Sequence, residues 1–163
     1  MNAFKTSLLA TALLAAGAIA PAHAANSDTF DVTITIDKSC DVTATQNVAF
    51  ADSVAAAGTV EAEGSVSVKC TNGAAYNVAL NGGSSDDVAA RQMSNGSDTI
   101  AYQLYQDAAL GTVWGDTGTA RVTGEGTGFN GADIDHVVYA QATLVGDETA
   151  GDYTDTITAT VSF

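Results

Sequence analysis

A two-residue rhythm, repeated along most of the chain, narrows the possible folds more than any other feature. Phe30, Val32, Ile34 and Ile36 alternate with Asp31, Thr33 and Thr35. Val66, Val68 and Cys70 alternate with Ser67 and Lys69, and Tyr76, Val78 and Leu80 with Asn77 and Ala79. Ile100, Tyr102 and Leu104 repeat the pattern, as do Ile157, Ala159, Val161 and Phe163 between Thr158, Thr160 and Ser162. Successive side chains of a strand point to opposite faces, so this rhythm builds strands with one dry face. Thr on the wet face and Val, Ile or aromatics on the dry face suit a pleated, half-buried surface. The run from Val137 to Val145 is also apolar-rich. Asn-Gly pairs at 72–73, 81–82, 95–96 and 130–131 supply residues that accept the positive φ of tight turns. The expectation is an all-β chain of about seven to nine short strands in an antiparallel sandwich.

The first 24 residues have a different character. Lys5 precedes an apolar stretch from Leu8 to Ala20, and Ala22-His23-Ala24 is a small-residue cleavage pattern. Residues 1–24 are therefore expected to be a secretory signal peptide. The stretch is too short to span a bilayer. Cleavage would remove Lys5, Pro21 and His23, and with them the only proline of the 163-residue chain.

Composition then excludes partners. Five Lys and Arg face 19 Asp and Glu, for a formal charge of −14. Such a chain has little with which to neutralise a phosphate backbone, so nucleic acid and anionic membrane are poor partners. With 46% hydrophobic residues a packed core is available. An exported chain with two cysteines, Cys40 and Cys70, is expected to join them in a disulfide. Closing a loop of about 30 residues stabilises by about 3.5–4 kcal/mol in the chain-entropy account.

No constellation carries catalytic chemistry. His136 is the only histidine beyond the leader; beside Asp133 and Asp135 it reads as a solvated loop residue. No Gly-x-Ser-x-Gly elbow offers a nucleophile. Acid pairs such as Asp86-Asp87 and Asp147-Glu148 are expected by chance in so acidic a chain, and calcium-loop spacing is missing. Two cysteines and one histidine without ligand spacing do not make a zinc site. Gly124-Glu125-Gly126-Thr127-Gly128 lacks the lysine of a phosphate loop and reads as a flexible hairpin or loop. Tyr102, Tyr105, Trp114, Tyr139 and Tyr153 read mainly as core aromatics, a sugar platform being the alternative. No enzyme activity, cofactor or metal is expected.

The run Thr29–Ile36 admits two readings. It is the first strand of its own sandwich, or a free arm that completes another sheet. Periodicity does not separate them.

Several segments resemble a known family in order and spacing. They are Ser39-Cys40-Asp41-Val42, Val68-Lys69-Cys70, Arg91-Gln92-Met93, Tyr102-Gln103-Leu104-Tyr105-Gln106-Asp107, Trp114-Gly115-Asp116, Val138-Tyr139 and Ala150-Gly151-Asp152-Tyr153-Thr154-Asp155-Thr156. Over 26–163 the chain resembles the spore coat protein U domain of Csu-type archaic chaperone–usher pili, and in particular their major subunit. It departs at Ala51 and Ala140, where the family often has glycine.

The resemblance implies an incomplete immunoglobulin-like antiparallel sandwich, completed by a donor strand from a neighbouring subunit. It implies an arm at 25–38 with Phe30, Val32, Ile34 and Ile36 as plugs, and a pilin-like domain at 39–163. Ile157, Ala159, Val161 and Phe163 would form a C-terminal strand that contacts a chaperone. The implied partners are identical subunits, a periplasmic chaperone, an outer-membrane usher and a tip adhesin. The implied product is a surface fibre for adhesion and biofilm formation, exported through the periplasm. The rival readings are a secreted coat or matrix protein closed in cis and a monomeric carbohydrate-binding module, with an exported hydrolase a distant third.

Overall fold

The computed structural model describes residues 25–163 other than 52, 54 and 55. The expected signal peptide lies outside the described residues. The chain divides into two units, Met1–Ile34 and Thr35–Phe163.

In the first unit, residues 25–34 form no strand and are exposed. Of the two readings of Thr29–Ile36, this corrects the first, a strand of its own sandwich, since 35–39 form none either. The alternating side chains are there, but a strand needs a partner for its backbone groups, and among the described residues no strand pairs with this segment.

Among its described residues, the second unit contains eight strands in two antiparallel sheets. The larger sheet joins β1 (Cys40–Gln46), β2 (Gly58–Cys70), β7 (Ile134–Leu144), β5 (Thr99–Tyr105) and β4 (Gln92–Ser94), in that order. The smaller has β3 (Ala75–Leu80) at its centre, between β6 (Val122–Glu125) and β8 (Ala159–Ser162). The layout is that of an immunoglobulin-like sandwich, in which alternate residues of both sheets fill the space between them.

The core follows the two-residue rhythm. Val66, Val68 and Cys70 of β2, Tyr76, Val78 and Leu80 of β3, Leu104 of β5 and Val138 and Ala140 of β7 are buried together with Trp114. Trp114 is fully buried among them, and its indole Nε1 donates to the Val78 carbonyl at 3.0 Å. A buried indole N–H needs such an acceptor.

Turn chemistry separates the strands where the Asn-Gly pairs stand. Between β4 and β5 the Asn95 Oδ1 accepts from the Ser97 and Asp98 amides at 2.9 and 2.8 Å, and Gly96 takes φ 93°. An Asx turn closed over a glycine in the left-handed region makes this a short hairpin. Cys40 and Cys70 face each other across β1 and β2 and are joined in a disulfide. The bond therefore fastens β1, at the rim of its sheet, to β2.

Two expectations about local structure need correction. His136 is not a loop residue: it lies in β7 on the inward face, half-buried against the rings of Tyr76 and Trp114. The β7 alternation carries it inward in spite of the acids on either side. The glycine-rich run is not simply a flexible loop, since Gly124 and Glu125 belong to β6. Gly124 stands opposite Tyr76 and Gly126 against the Thr71 carbonyl, and a Cβ at either would overlap its neighbour.

Candidate assembly edge

Two strands expose unpaired edges on the same side of the sandwich. Among the described residues, β1 pairs only with β2, and β8 only with β3. They run close together at the rims of their sheets, yet no ladder joins them. Apolar residues here are only partly covered: Val42 of β1, Val48 and Phe50 beyond it, and Ile157, Ala159 and Val161 along the C-terminal run. All six pack against the buried core. Unpaired edges over half-covered apolar side chains are what an added strand can pair with and cover.

The C-terminal run is shorter as a strand than its rhythm predicts. β8 covers Ala159–Ser162, so Ile157 precedes it and Phe163 follows it, 54% exposed. Ile157, Ala159 and Val161 share the inward face; Phe163 does not reach the core. The ladder to β3 ends at Asn77↔Ser162, which leaves Phe163 without a cross-strand residue.

The four candidate plugs are exposed. Phe30, Val32, Ile34 and Ile36 are 87%, 85%, 85% and 70% accessible. Single exposed apolar residues are ordinary on a protein surface, but four in alternation along one segment form a continuous apolar stripe.

Polar groups organise the end of the sandwich where the C-terminal run begins. Arg91 is buried, and its guanidinium donates to the carbonyls of Leu80, Asn81 and Trp114 and to Gln103 Oε1, at 2.6–3.1 Å. Burial lowers its affinity for the proton, while Tyr102, Asp116 and Asp155 pull the other way. Asp155 accepts from the Tyr102 hydroxyl at 2.6 Å and from the Ser84 amide at 2.9 Å. Burial pushes the Asp155 carboxyl up, but hydrogen bonds from Ser84, Tyr102 and Thr156 outweigh it and hold it below the usual range. The Tyr102 hydroxyl is raised by burial and further by Asp155. The donors and acceptors of this cluster are engaged mainly with one another and with backbone carbonyls and amides.

Two surface hollows lie away from the β1 and β8 edges, the first beside this polar cluster. One of about 280 Å³ is lined by Arg91, Tyr102, Gln103, Tyr105 and Gln141, and one of about 210 Å³ by Glu61, Glu63, Leu110 and Tyr139. Of the five aromatics considered from sequence, Trp114 is fully buried, and Tyr102, Tyr105, Tyr139 and Tyr153 are half-buried. Among the described residues no group of three or more His, Cys, Asp and Glu is placed to hold a metal ion. Among them, too, no helix is long and apolar enough to cross a membrane.

Against this geometry, the model of the Spore Coat Protein U domain matches residues 26–160. The chain belongs to the Spore Coat Protein U domain family. The match takes in both the exposed segment before Cys40 and the first half of the terminal strand of this Spore Coat Protein U domain. Among solved structures it is similar to a chain of the CsuC–CsuE chaperone–tip adhesion subunit pre-assembly complex from archaic chaperone–usher Csu pili of Acinetobacter baumannii. The two are 25% identical with a TM-score of 0.53. The alignment covers 79% of this chain and 41% of the other, so this chain spans about two fifths of the relative's length. No curated protein matches the chain.

Proposed function

We propose that this chain is a structural pilin subunit that polymerises by donor-strand complementation into a surface fibre for adhesion and biofilm formation. The observation that carries the proposal is a pair of matching deficits. The sandwich has two neighbouring unpaired edges over half-covered core residues, and the chain also carries an unpaired segment with four alternating apolar side chains. The family and the pilus complex that the fold resembles support it.

Residues 25–38 act as the arm. Phe30, Val32, Ile34 and Ile36 insert between the edges of β1 and β8 of the next subunit. At about 1.5–3 kcal/mol each, the four side chains supply roughly 6–12 kcal/mol before ordering costs. Ladder hydrogen bonds fix the direction of the inserted strand. Head-to-tail donation does not close on itself, so it produces a fibre. Before assembly a periplasmic chaperone covers the open edge, contacting Ile157, Ala159, Val161 and Phe163. An outer-membrane usher then exchanges the chaperone for the next arm, and a tip adhesin ends the fibre. The subunit is structural, with no catalytic step.

Deleting Asn26–Asp37 tests the proposal. The expected product is a chaperone-bound subunit that accepts an arm but cannot donate one, so cells expressing only this form make no fibres. Normal fibres from those cells would overturn it, and a stable wild-type monomer that binds glycans would favour the carbohydrate-binding module.

A further inference from the structure

We infer that Asp155 sets the register of the acceptor edge, as a positioning residue for donor-strand insertion. This rests on the donor-strand function proposed above. The problem that Asp155 solves is inherent in β8. With β3 as its only neighbour among the described residues and apolar residues at every second position, β8 could shift by two residues and still turn an apolar face inward. Such a shift would move every position that a donor strand meets.

The chain before β8 crosses from the larger sheet to the smaller, and it is held at three points. Ser94 of β4 and Thr154 exchange both backbone hydrogen bonds at 3.0 Å. Asn81 brackets Thr158: its Oδ1 accepts from the Thr158 amide at 2.8 Å, and its own amide donates to the Thr158 carbonyl at 3.2 Å. Backbone bonds of the first kind can re-form after a two-residue shift. Asp155, between the two, cannot be replaced in this way.

Its carboxylate collects donors from both sheets. Tyr102 reaches it from β5, and Ser84 reaches it with both amide and hydroxyl from the turn that follows β3. Tyr102 bonds Oδ2 and Ser84 bonds Oδ1, and Oδ1 also accepts from the Thr156 amide at 2.8 Å. Gly83, at φ 66°, has no Cβ where one would overlap the carboxylate. A two-residue shift would bring Tyr153 or Ile157 to this position, and neither offers a carboxylate. It would also carry Asp155 ~7 Å from its donors. The four residues from Asp155 to β8 then transmit a fixed origin to the edge.

The test uses polymers of the full chain carrying a photoreactive benzophenone residue at position 30. Illumination links each arm to its neighbour, and mass spectrometry locates the linked residue. The wild-type edge is expected to give one site. In Asp155→Ala a second site, two residues along, takes a comparable share. Asp155→Asn keeps an oxygen for Ser84 and restores the single site, which a general loss of stability would not do. If Asp155→Ala yields no folded subunit, Tyr102→Phe combined with Ser84→Ala removes the same side-chain donors, with the same expectation. One unchanged site in the variant would overturn the assignment of register to Asp155 and leave donor-strand assembly intact. Wild-type polymers with no link to either edge would overturn donor-strand assembly itself, and the inference with it.

Discussion

Gly124 of β6 lies directly across from Tyr76 of β3, and the Tyr76 ring occupies the space that a Cβ on Gly124 would need. The tyrosine is buried there, with its hydroxyl 2.9 Å from His136 Nε2. A strand glycine at close approach thus makes room for a large core aromatic. Gly124→Ala is expected to destabilise the fold by about 1–3 kcal/mol through overpacking. Urea unfolding of the purified subunit measures this; an unchanged midpoint would show that Tyr76 has room to move.

His136 makes stability depend on pH. Burial holds its pKa below the ordinary value, with the nearby Asp135 pulling weakly upward. A depressed folded pKa means that the unfolded chain takes up the proton first. Stability is therefore fully present above about pH 6.5 and is lost as pH falls through the lower folded value. His136→Gln is expected to lack this part of the decline between pH 7.5 and 5. Equal slopes in the two proteins would exclude His136 as its source.

The Cys40–Cys70 bond fastens β1, an edge strand, to β2. Replacing both cysteines by alanine is expected to cost about 3–4 kcal/mol, because the unfolded chain regains a loop of about 30 residues. Denaturant unfolding with and without reductant checks this. In the wild type the reductant is expected to lower stability, and in the double variant to change nothing.

Ile34 is proposed as a plug, and at 85% exposure it contributes little to its own subunit. Ile34→Asp is expected to leave the melting temperature of the monomer within about 2 °C, because exposed substitutions rarely exceed about 0.5 kcal/mol. Polymer yield is expected to fall at least tenfold, since insertion would bury an unpaired carboxylate. Fibre yield on native gels decides between this and an arm that inserts elsewhere.

Much of the sandwich was legible from the rhythm, because alternation is a local property of the strand. Val66, Val68, Tyr76, Val78, Leu80 and Leu104 all point inward as their spacing requires. The inward row of Ile157, Ala159 and Val161 on the candidate edge was equally legible. Val42, Val48 and Phe50 were harder to assign: one lies in a mostly polar strand and two lie outside any strand. Thr29–Ile36 shows the limit of the method, since its rhythm is among the clearest in the chain and it forms no strand.

The sequence by itself determined that the chain is all-β, which faces of most strands are dry, and that two cysteines stand in a chain with an export leader's pattern. Only the tertiary structure decided that β1 and β8 remain unpaired, that His136 faces Tyr76 and Trp114, and that Asp155 gathers Ser84 and Tyr102. Which face a side chain takes depends on its immediate neighbours. Which edge stays open, and which donors meet one carboxylate, depend on contacts between residues as far apart as Ser84 and Asp155, and no local pattern encodes those.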